Sequence, residues 1–324
     1  MSETVVQTVP PVSKRVIRTI AGATLLATVL AGIATVLGFM GAFAWPLDLC
    51  SHFRAQYLIS LLIGAVILLA MKRRKSAAIL GLLAIVNLAV IVPLYFGRAT
   101  PSPGPSVRAM LMNVNTQMGD PKRVAEAIRQ IDPDFVVLEE VNPKWITDLA
   151  DTLARYPHSQ LTPRDDNFGI ALLSRLPFQS SRTMYIGPAG APSIIAEIET
   201  PQGKCAVLAT HPLPPIGGEY AGYRNAQFVA LSAEVRKATC PVLLFGDLNC
   251  TPWSPHFARL LADSGLQDST RGWGVQRSWP ADSWLLRIPI DHCLHSPAIR
   301  ITRREIGPDV GSDHFPLIVE FQLQ

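Results

Sequence analysis

The chain has 324 residues, 48% of them hydrophobic, with a formal net charge of +4 and a mean hydropathy of +0.24. The charge is unevenly divided: residues 1–106 hold nine Lys/Arg against two Asp/Glu, and residues 107–324 hold twenty against twenty-three. The basic balance thus belongs to the first third, and the remainder lacks the Lys/Arg excess that marks a duplex-DNA binder.

Three uncharged apolar stretches come first, at 19–47, 55–71 and 76–97. A bilayer core needs about 20 apolar residues in a helix, and about 17 at the least, so each is read as a transmembrane helix and residues 1–97 as a membrane anchor. The first run is too long for the apolar core of a signal peptide, and two more follow it. Lys14, Arg15 and Arg18 precede the first span, Lys72-Arg73-Arg74-Lys75 fills the turn between the second and third, and only Arg54 lies between the first and second. The positive-inside rule then places the N-terminus and the 72–75 turn in the cytoplasm, with residues beyond 97 on the extracytoplasmic side of the cell membrane. Residues 98–106, containing Thr100-Pro101-Ser102-Pro103-Gly104-Pro105, read as an extended Pro-rich linker.

From residue 107 the pattern changes to that of a soluble domain. The run 107–112 predicts a strand, and Asp120-Pro121 starts a helix over 122–131 by N-cap and first-turn proline. A strand follows at 134–138 and a helix at 143–153, then short strands at 169–174, 194–199 and 206–210 with no helix between them. An amphipathic helix at 223–237, a strand at 242–245, a helix at 253–264 and a strand at 316–322 complete the chain. Strands alternating with helices around a strand-only middle predict an α/β domain of two sheets packed face to face, with helices outside.

Five cysteines occur without a CxxC pair, which argues against a thiolate zinc site. Cys205 and Cys240 begin two strands expected to be parallel neighbours, at the same height, within reach of a disulfide. Two buried thiols are the alternative.

Polar residues gather where strands end, the place an α/β architecture puts its ligands. Asn113 and Asn115 follow the first strand; Glu139 and Glu140 end the second; His211 ends 206–210; Asp247 and Asn249 follow 242–245; Asp291 and His292 follow Ile290; and Ser312-Asp313-His314 precedes the last strand. A single Asp after a strand is usually a turn former. Six such stations in one domain point instead to a site rich in carboxylate, amide and imidazole.

These stations, in this order, resemble the endonuclease/exonuclease/phosphatase family of DNase I-like metal-dependent phosphoesterases. The matching segments are Met112-Asn113-Val114, the acid at the end of 134–140, Gly169–Pro177, Thr210-His211-Pro212, Gly246-Asp247-Leu248-Asn249, Ile290-Asp291-His292 and Ser312-Asp313-His314-Phe315-Pro316. The resemblance covers nearly all of 107–324 and none of 1–106, and implies a four-layer α/β/β/α sandwich. It implies Asp247 as the group that orients or deprotonates the attacking water, with Asn249 beside it. His314 would act on a phosphoryl oxygen with Asp291 fixing its tautomer, and His211 would donate to the same phosphate. Glu140, with Asn113 and Asp313, would hold Mg²⁺ or Mn²⁺. Strand alternation lets only one of Glu139 and Glu140 face the site, and the resemblance implies Glu140, because the family motif places its acid at the end of that dipeptide.

Such a donor set suits the chemistry. A phosphodiester resists attack because its anionic oxygens repel a nucleophile, so catalysis is mainly positioning and charge neutralisation. Oxygen ligands suit a hard dication. Asn115 stands where some relatives carry Asp, and with Arg224 it is a candidate for contact with substrate; a solvated helix face is the alternative for Arg224 and Gln227. His158, His256, His292 and His295 read as surface or structural residues. The expected activity is hydrolysis of a phosphoester, a phosphodiester by preference, on a lipid head group, sugar phosphate or nucleic acid. An extracytoplasmic nuclease and a silent binding protein of the same fold are the alternatives. The bilayer is an expected partner, and nothing in the sequence calls for an obligatory protein partner.

Overall fold

A computed structural model describes residues 14–100 and 103–324; residues 1–13, positions 101–102 of the expected linker, and the side chains of residues 14–18, 20 and 21, with them Lys14, Arg15 and Arg18, lie outside the described residues. The apolar third forms α1 (Lys14–Leu37), the short α2 (Trp45–Leu49), α3 (Arg54–Ala70) and α4 (Arg74–Ile91). Ala31, Leu61, Ala65, Leu80 and Ala84 make their common core, while Leu26, Leu30, Ile59, Val66, Ile79 and Ile85 point outward, each more than half exposed.

Three transmembrane helices were expected, and two meet the requirement. Gly22–Met40 has 19 residues at mean hydropathy 2.1 and Arg74–Tyr95 has 22 at 2.6, but Arg54–Ala70 has only 17. At 1.5 Å per residue that helix reaches about 25 Å, short of the ~30 Å hydrocarbon core. Arg54 departs from expectation too. It is not a loop charge but 1% exposed, donating from Nη1 to the Thr35 carbonyl at 2.8 Å near the end of α1, with its guanidinium 4.3 Å from the Phe39 ring.

The remaining elements are β1 (Val107–Asn113), α5 (Pro121–Ile131), β2 (Phe135–Glu139), α6 (Pro143–Asp148), α7 (Ala150–Leu153), β3 (His158–Thr162), β4 (Ile170–Ser174), β5 (Phe178–Tyr185), β6 (Pro192–Thr200), β7 (Gly203–Thr210), α8 (Gly218–Lys237), β8 (Val242–Asp247), α9 (Pro255–Ser264), β9 (Gln267–Asp268), β10 (Asp291–His295), β11 (Ile299–Ile306) and β12 (Leu317–Leu323). They build two six-stranded sheets, ordered β11-β12-β1-β2-β4-β3 and β5-β6-β7-β8-β10-β9. Each has one parallel pair at its centre, β1 with β2 and β7 with β8, and these pairs carry the site.

Side-chain alternation along these strands separates two cores per sheet. Leu111, Phe135, Val137, Val207, Ala209 and Phe245 point inward and fill the space between the sheets. Met110, Met112, Val136 and Leu138 point outward against Val124, Ile128 and Trp145 of α5 and α6. On the other sheet Leu208 and Leu244 meet Phe228, Leu231 and Phe257 of α8 and α9. The result is the expected α/β arrangement of two facing sheets. Helix α5 begins where the sequence predicts, with the Asp120 carboxylate accepting from the Lys122 and Arg123 backbone amides and Pro121 in the first turn.

The disulfide expectation fails on register. Ala206 lies opposite Val242, so Cys205 faces Pro241 and Cys240 falls one residue beyond. Adjacent positions point to opposite faces: Cys205 joins the core between the sheets and Cys240 packs under α8, and both are free thiols.

Residues on the two sides of the 98–106 stretch are in contact. The amides of Gly272 and Gly274 both donate to the Leu94 carbonyl at 2.9 Å, and the Arg98 guanidinium sits 3.8 Å from the Trp273 ring. Trp253 Nε1 donates to the Val90 carbonyl at 3.2 Å, and His52 Nδ1 lies 3.1 Å from Thr251 Oγ1.

Candidate active site

The ends of the two central parallel pairs converge on one cavity of about 510 Å³, lined among others by Glu140, His211, Asp247, Asn249, Asp313 and His314. One sheet supplies Asn113 at the end of β1 and Glu139-Glu140 at the end of β2; the other supplies His211 after β7, Asp247 at the end of β8 and Asp291 at the start of β10. Asp291 pairs directly with Asp247 across the β8–β10 ladder, which sets the two carboxylates side by side. Gly246 permits the approach of β7: a Cβ there would stand 1.9 Å from the Thr210 carbonyl oxygen. The glycine of the Gly-Asp-Leu-Asn motif is thus a packing requirement.

Backbone strain marks the same place. Among the described residues, five other than glycine have positive φ, and three of them are Asn115 (+50°), Glu140 (+62°) and Asn249 (+50°). Each non-glycine residue held left-handed costs of order 1 kcal/mol or more, and such outliers gather at functional sites. At Asn249 the compensation is visible: its amide donates to Asp247 Oδ1 at 2.9 Å, and its side-chain nitrogen donates to the Pro212 carbonyl at 2.9 Å.

Asp247 stands at the centre. Its Oδ2 lies 3.6 Å from His211 Nε2 and 3.5 Å from His314 Nε2. Burial pushes its carboxyl upward, but the charge of His314 and the hydrogen bond and charge of His211 prevail and hold it below the ordinary value. The imidazoles respond in kind. Burial alone would lower both; the hydrogen bond to Asp247 and the charges of Glu139 and Asp247 carry His211 up to about 9. The charges of Asp291 and Asp247 carry His314 up to about 10. His314 Nδ1 donates to Asp291 Oδ2 at 2.9 Å, which turns Nε2 toward Asp247. The Ser312 hydroxyl holds this loop in place, donating to the Asn113 carbonyl at 2.8 Å and accepting from the His314 amide at 3.1 Å.

The two glutamates separate as the strand period requires. Glu139 is fully buried between the sheets, where Oε2 accepts from the Asp247 amide at 3.0 Å. Burial, opposed by His211 and reinforced by Asp247, pushes its carboxyl up to about 8. Glu140 lines the cavity, with Oε1 accepting from Asn113 Nδ2 at 3.0 Å and Oε2 from the Thr116 amide at 3.3 Å. Asp313 Oδ1 accepts from Asn115 Nδ2 at 2.8 Å and Oδ2 from Trp279 Nε1 at 3.0 Å. Glu140, Asp313 and Asp247 bring three carboxylates to one cavity beside the Asn113 amide. Carboxylate oxygens of this kind are the ligands a hard dication such as Mg²⁺ or Mn²⁺ takes. A second acidic cluster, Asp247, Asp291 and His314, has ligand atoms within 4.8 Å of one another, but its His–Asp hydrogen bond already occupies it.

Arg224 does not belong to the cavity. Its side chain is 0% exposed and forms a 2.6 Å ion pair with Asp48 of α2, while Nη1 donates to the Asn249 carbonyl at 3.0 Å. The expectation of a substrate contact is corrected: this guanidinium is fully buried, is paired with Asp48 and does not line the cavity. Gln227 is likewise inward, donating to Thr210 Oγ1 at 3.1 Å. His292, fully buried with Nε2 2.8 Å from the Cys250 carbonyl, is structural as expected. Sequence reasoning missed Trp279, which holds Asp313, and Phe168, whose ring lies 5.5 Å from that of His211. Both are apolar residues in irregular segments, where no periodicity points to them.

A family model described as the endonuclease/exonuclease/phosphatase family matches residues 112–314. No match was found among curated proteins. Among solved structures, an endonuclease/exonuclease/phosphatase from Beutenbergia cavernae has a TM-score of 0.54 at 21% identity, covering 68% of this chain and 72% of its own. TDP2 of D. rerio, solved with a single-strand DNA product, has 0.57 at 17% identity, covering 68% and 100%. Sphingomyelinase C from Streptomyces griseocarneus has 0.50 at 20% identity, covering 67% and 99%. At these identities the structural likeness speaks for the fold, and the family match spans most of the chain. This chain belongs to the endonuclease/exonuclease/phosphatase family.

Proposed function

We propose that the protein is a metal-dependent phosphoester hydrolase, acting on a phosphodiester by preference and tethered to a membrane by α1 and α4. The observation that carries this reading is the Asp247 carboxylate held ionised between two imidazoles, in the same cavity as the carboxylate oxygens of Glu140 and Asp313, with the Asn113 amide donating to Glu140 beside them. Mg²⁺ or Mn²⁺ bound by those oxygens supplies Lewis-acid polarisation of a phosphoryl oxygen and neutralises its charge. Asp247 orients the attacking water and takes its proton, which its ionised state allows. His211 and His314, held protonated, donate to the phosphoryl oxygens as charge accumulates there. Asp291 fixes the His314 tautomer, Asn249 stands beside the water, and Asn115 holds Asp313 in register.

The membrane part of the proposal rests on two helices of sufficient length and hydropathy and on their outward apolar side chains. The ends of α1 and α4 and the start of α3 share the side that meets the catalytic half. That arrangement requires α3, whose 17 residues stand at the lower limit for a crossing, to bring the chain back to Lys72–Lys75 on the opposite side; on that condition the positive-inside rule puts the site outside the cytoplasm. Protease added to intact cells should digest the catalytic half; its full protection would reverse the orientation. For the chemistry, the full chain should hydrolyse bis(p-nitrophenyl) phosphate with Mg²⁺ or Mn²⁺ and lose that activity in a chelator. A rate indifferent to the chelator would remove the metal.

A further inference from the structure

Both walls of the catalytic cavity are fastened to the outer end of the membrane helices, and both carry exposed apolar side chains. The first wall is the excursion between Trp279 and Ile288, which are joined by an isolated antiparallel bridge. At its base Trp279 holds the Asp313 carboxylate, and the Ala281 amide donates to the Asp313 carbonyl at 2.7 Å. At its tip Trp284, Leu285 and Leu286 are 73%, 57% and 53% exposed. Three consecutive large apolar residues in water would be a costly surface feature, and such patches mark interaction sites.

The tip does not hang free. Gln56 Nε2, in the first turn of α3, donates to the Leu285 carbonyl at 3.1 Å and to the Arg287 carbonyl at 3.0 Å. Arg287 holds the base by donating to the Pro280 carbonyl at 3.1 Å, with its guanidinium 4.5 Å from the Phe315 ring. The exposed side chains therefore stand beside an anchor helix, at the level where it meets the catalytic half. The opposite wall repeats this placement. Ile216 and Tyr220 line the cavity and are 72% and 39% exposed. Gly218 between them lies against Trp45 of α2, where a Cβ would come within 3.4 Å of the indole.

We propose that Trp284, Leu285 and Leu286 seat in the surface of the bilayer that holds α1 and α4, and that the cavity takes the phosphodiester of a lipid head group from that surface. The proposal rests on the hydrolase reading above and names its substrate class. Trp and Leu are the side chains expected there: an indole settles at the head-group level and aliphatic groups just beneath it. The segment from Ser283 to Leu286 carries no charge that would have to leave water. Because the base of the same excursion holds Asp313, seating the tip sets the reacting groups at a fixed height above the lipid. Hydrolysis at that height cleaves one P–O ester bond of the head group, with water adding to phosphorus and a proton passing to the departing oxygen.

The test uses the full chain in bilayer discs of phosphatidylethanolamine and phosphatidylglycerol, and the triple variant Trp284→Ser, Leu285→Ser, Leu286→Ser. All three side chains are exposed, so the substitutions leave the core intact. The variant should lose about tenfold or more of its turnover of disc lipid, and keep within about twofold its turnover of water-soluble bis(p-nitrophenyl) phosphate. Equal turnover of disc lipid by both proteins overturns the proposal. So does a wild-type chain that cleaves the soluble diester, or single-stranded DNA, but no disc lipid, which leaves the hydrolase reading standing. A wild-type chain that cleaves nothing with either metal fails the hydrolase reading instead. Independently of activity, brominated lipid should quench the wild-type tryptophan emission more than that of Trp284→Phe. Identical quenching of the two places the loop in water and refutes it.

Discussion

Replacing Asp48 by alanine should destabilise the two-sheet sandwich, although Asp48 lies in the apolar N-terminal third and outside the candidate site. Its Oδ2 is 2.6 Å from Arg224 Nη2, and its Oδ1 accepts from the Ser254 hydroxyl at 2.7 Å; the two charged side chains are 1% and 0% exposed. Burial raises the Asp48 carboxyl, but Arg224, His52 and Ser254 outweigh it and hold it below the ordinary range. Without the carboxylate, Arg224 keeps only neutral acceptors, the Asn249 carbonyl and Asn225 Oδ1, at a fully buried position. Removing one partner of a buried pair costs ~3–5 kcal/mol, a large share of a total stability of ~5–15 kcal/mol. For a domain of this size each kcal/mol moves Tm by ~2–4 °C, so the fall should be roughly 6–20 °C. The double change Asp48→Leu with Arg224→Met removes both charges and should recover much of that loss. It should not recover activity, because the Asn249 carbonyl loses its donor. Thermal unfolding of the full chain in detergent, followed by tryptophan fluorescence beside diester hydrolysis, reads both effects. A melting point for Asp48→Ala within about 2 °C of the wild type, with unchanged hydrolysis, would refute the reasoning.

Other expectations follow from the same geometry. Asp247→Ala and His314→Ala should each cost on the order of 10²–10³ in rate while leaving the fold intact, and near wild-type rates in both would remove the mechanism. Glu140→Gln should raise the metal concentration needed for half-maximal activity much more than Glu139→Gln, because the Glu139 oxygen accepts from the Asp247 amide and an amide oxygen can do the same. Metal titration of the two variants tests this, and a larger effect at Glu139 would exchange their roles. His52 is 4% exposed between anchor and catalytic half, and burial, opposed by Asp48, lowers it to about 4. Its neutral form is favoured on folding, so its contribution is complete above pH ~6.5 and is lost as pH falls toward 4, by roughly 3 kcal/mol at most. Melting curves of the wild type and His52→Gln between pH 7.5 and 4.5 should converge as the medium becomes acidic; parallel curves would rule the effect out.

The strands found by sequence reasoning are those whose side chains are buried on both faces, such as Phe135–Glu139 and Val242–Asp247. Those it passed over do not read as apolar runs. Phe178–Tyr185 is a largely exposed polar strand, and Asp291–His295 is buried throughout but three of its five residues are Asp or His. Helix α8 begins five residues before the expected 223, since Gly217 and Gly218 resemble a turn in sequence. Of the site, the stations that end strands were legible, because the end of a buried strand is where a polar side chain has to face a cavity. Alternation showed that only one of Glu139 and Glu140 could face the cavity, and the family resemblance, which puts its acid at the end of that dipeptide, pointed to Glu140.

What the sequence determined by itself was the kind of domain, the oxygen-rich site and the order of its residues, because local periodicity and strand ends repeat at short range. What only the tertiary structure decided was where long-range pairs fall. Register put Cys205 and Cys240 on opposite faces of one sheet. Packing gave Arg224 to Asp48, and it brought Leu94 of the apolar third against Gly272 and Gly274 across a stretch that reads as a spacer. No local pattern encodes a buried ion pair between an apolar third and an acidic domain. It exists because a guanidinium removed from water must find a carboxylate, wherever along the chain that carboxylate lies.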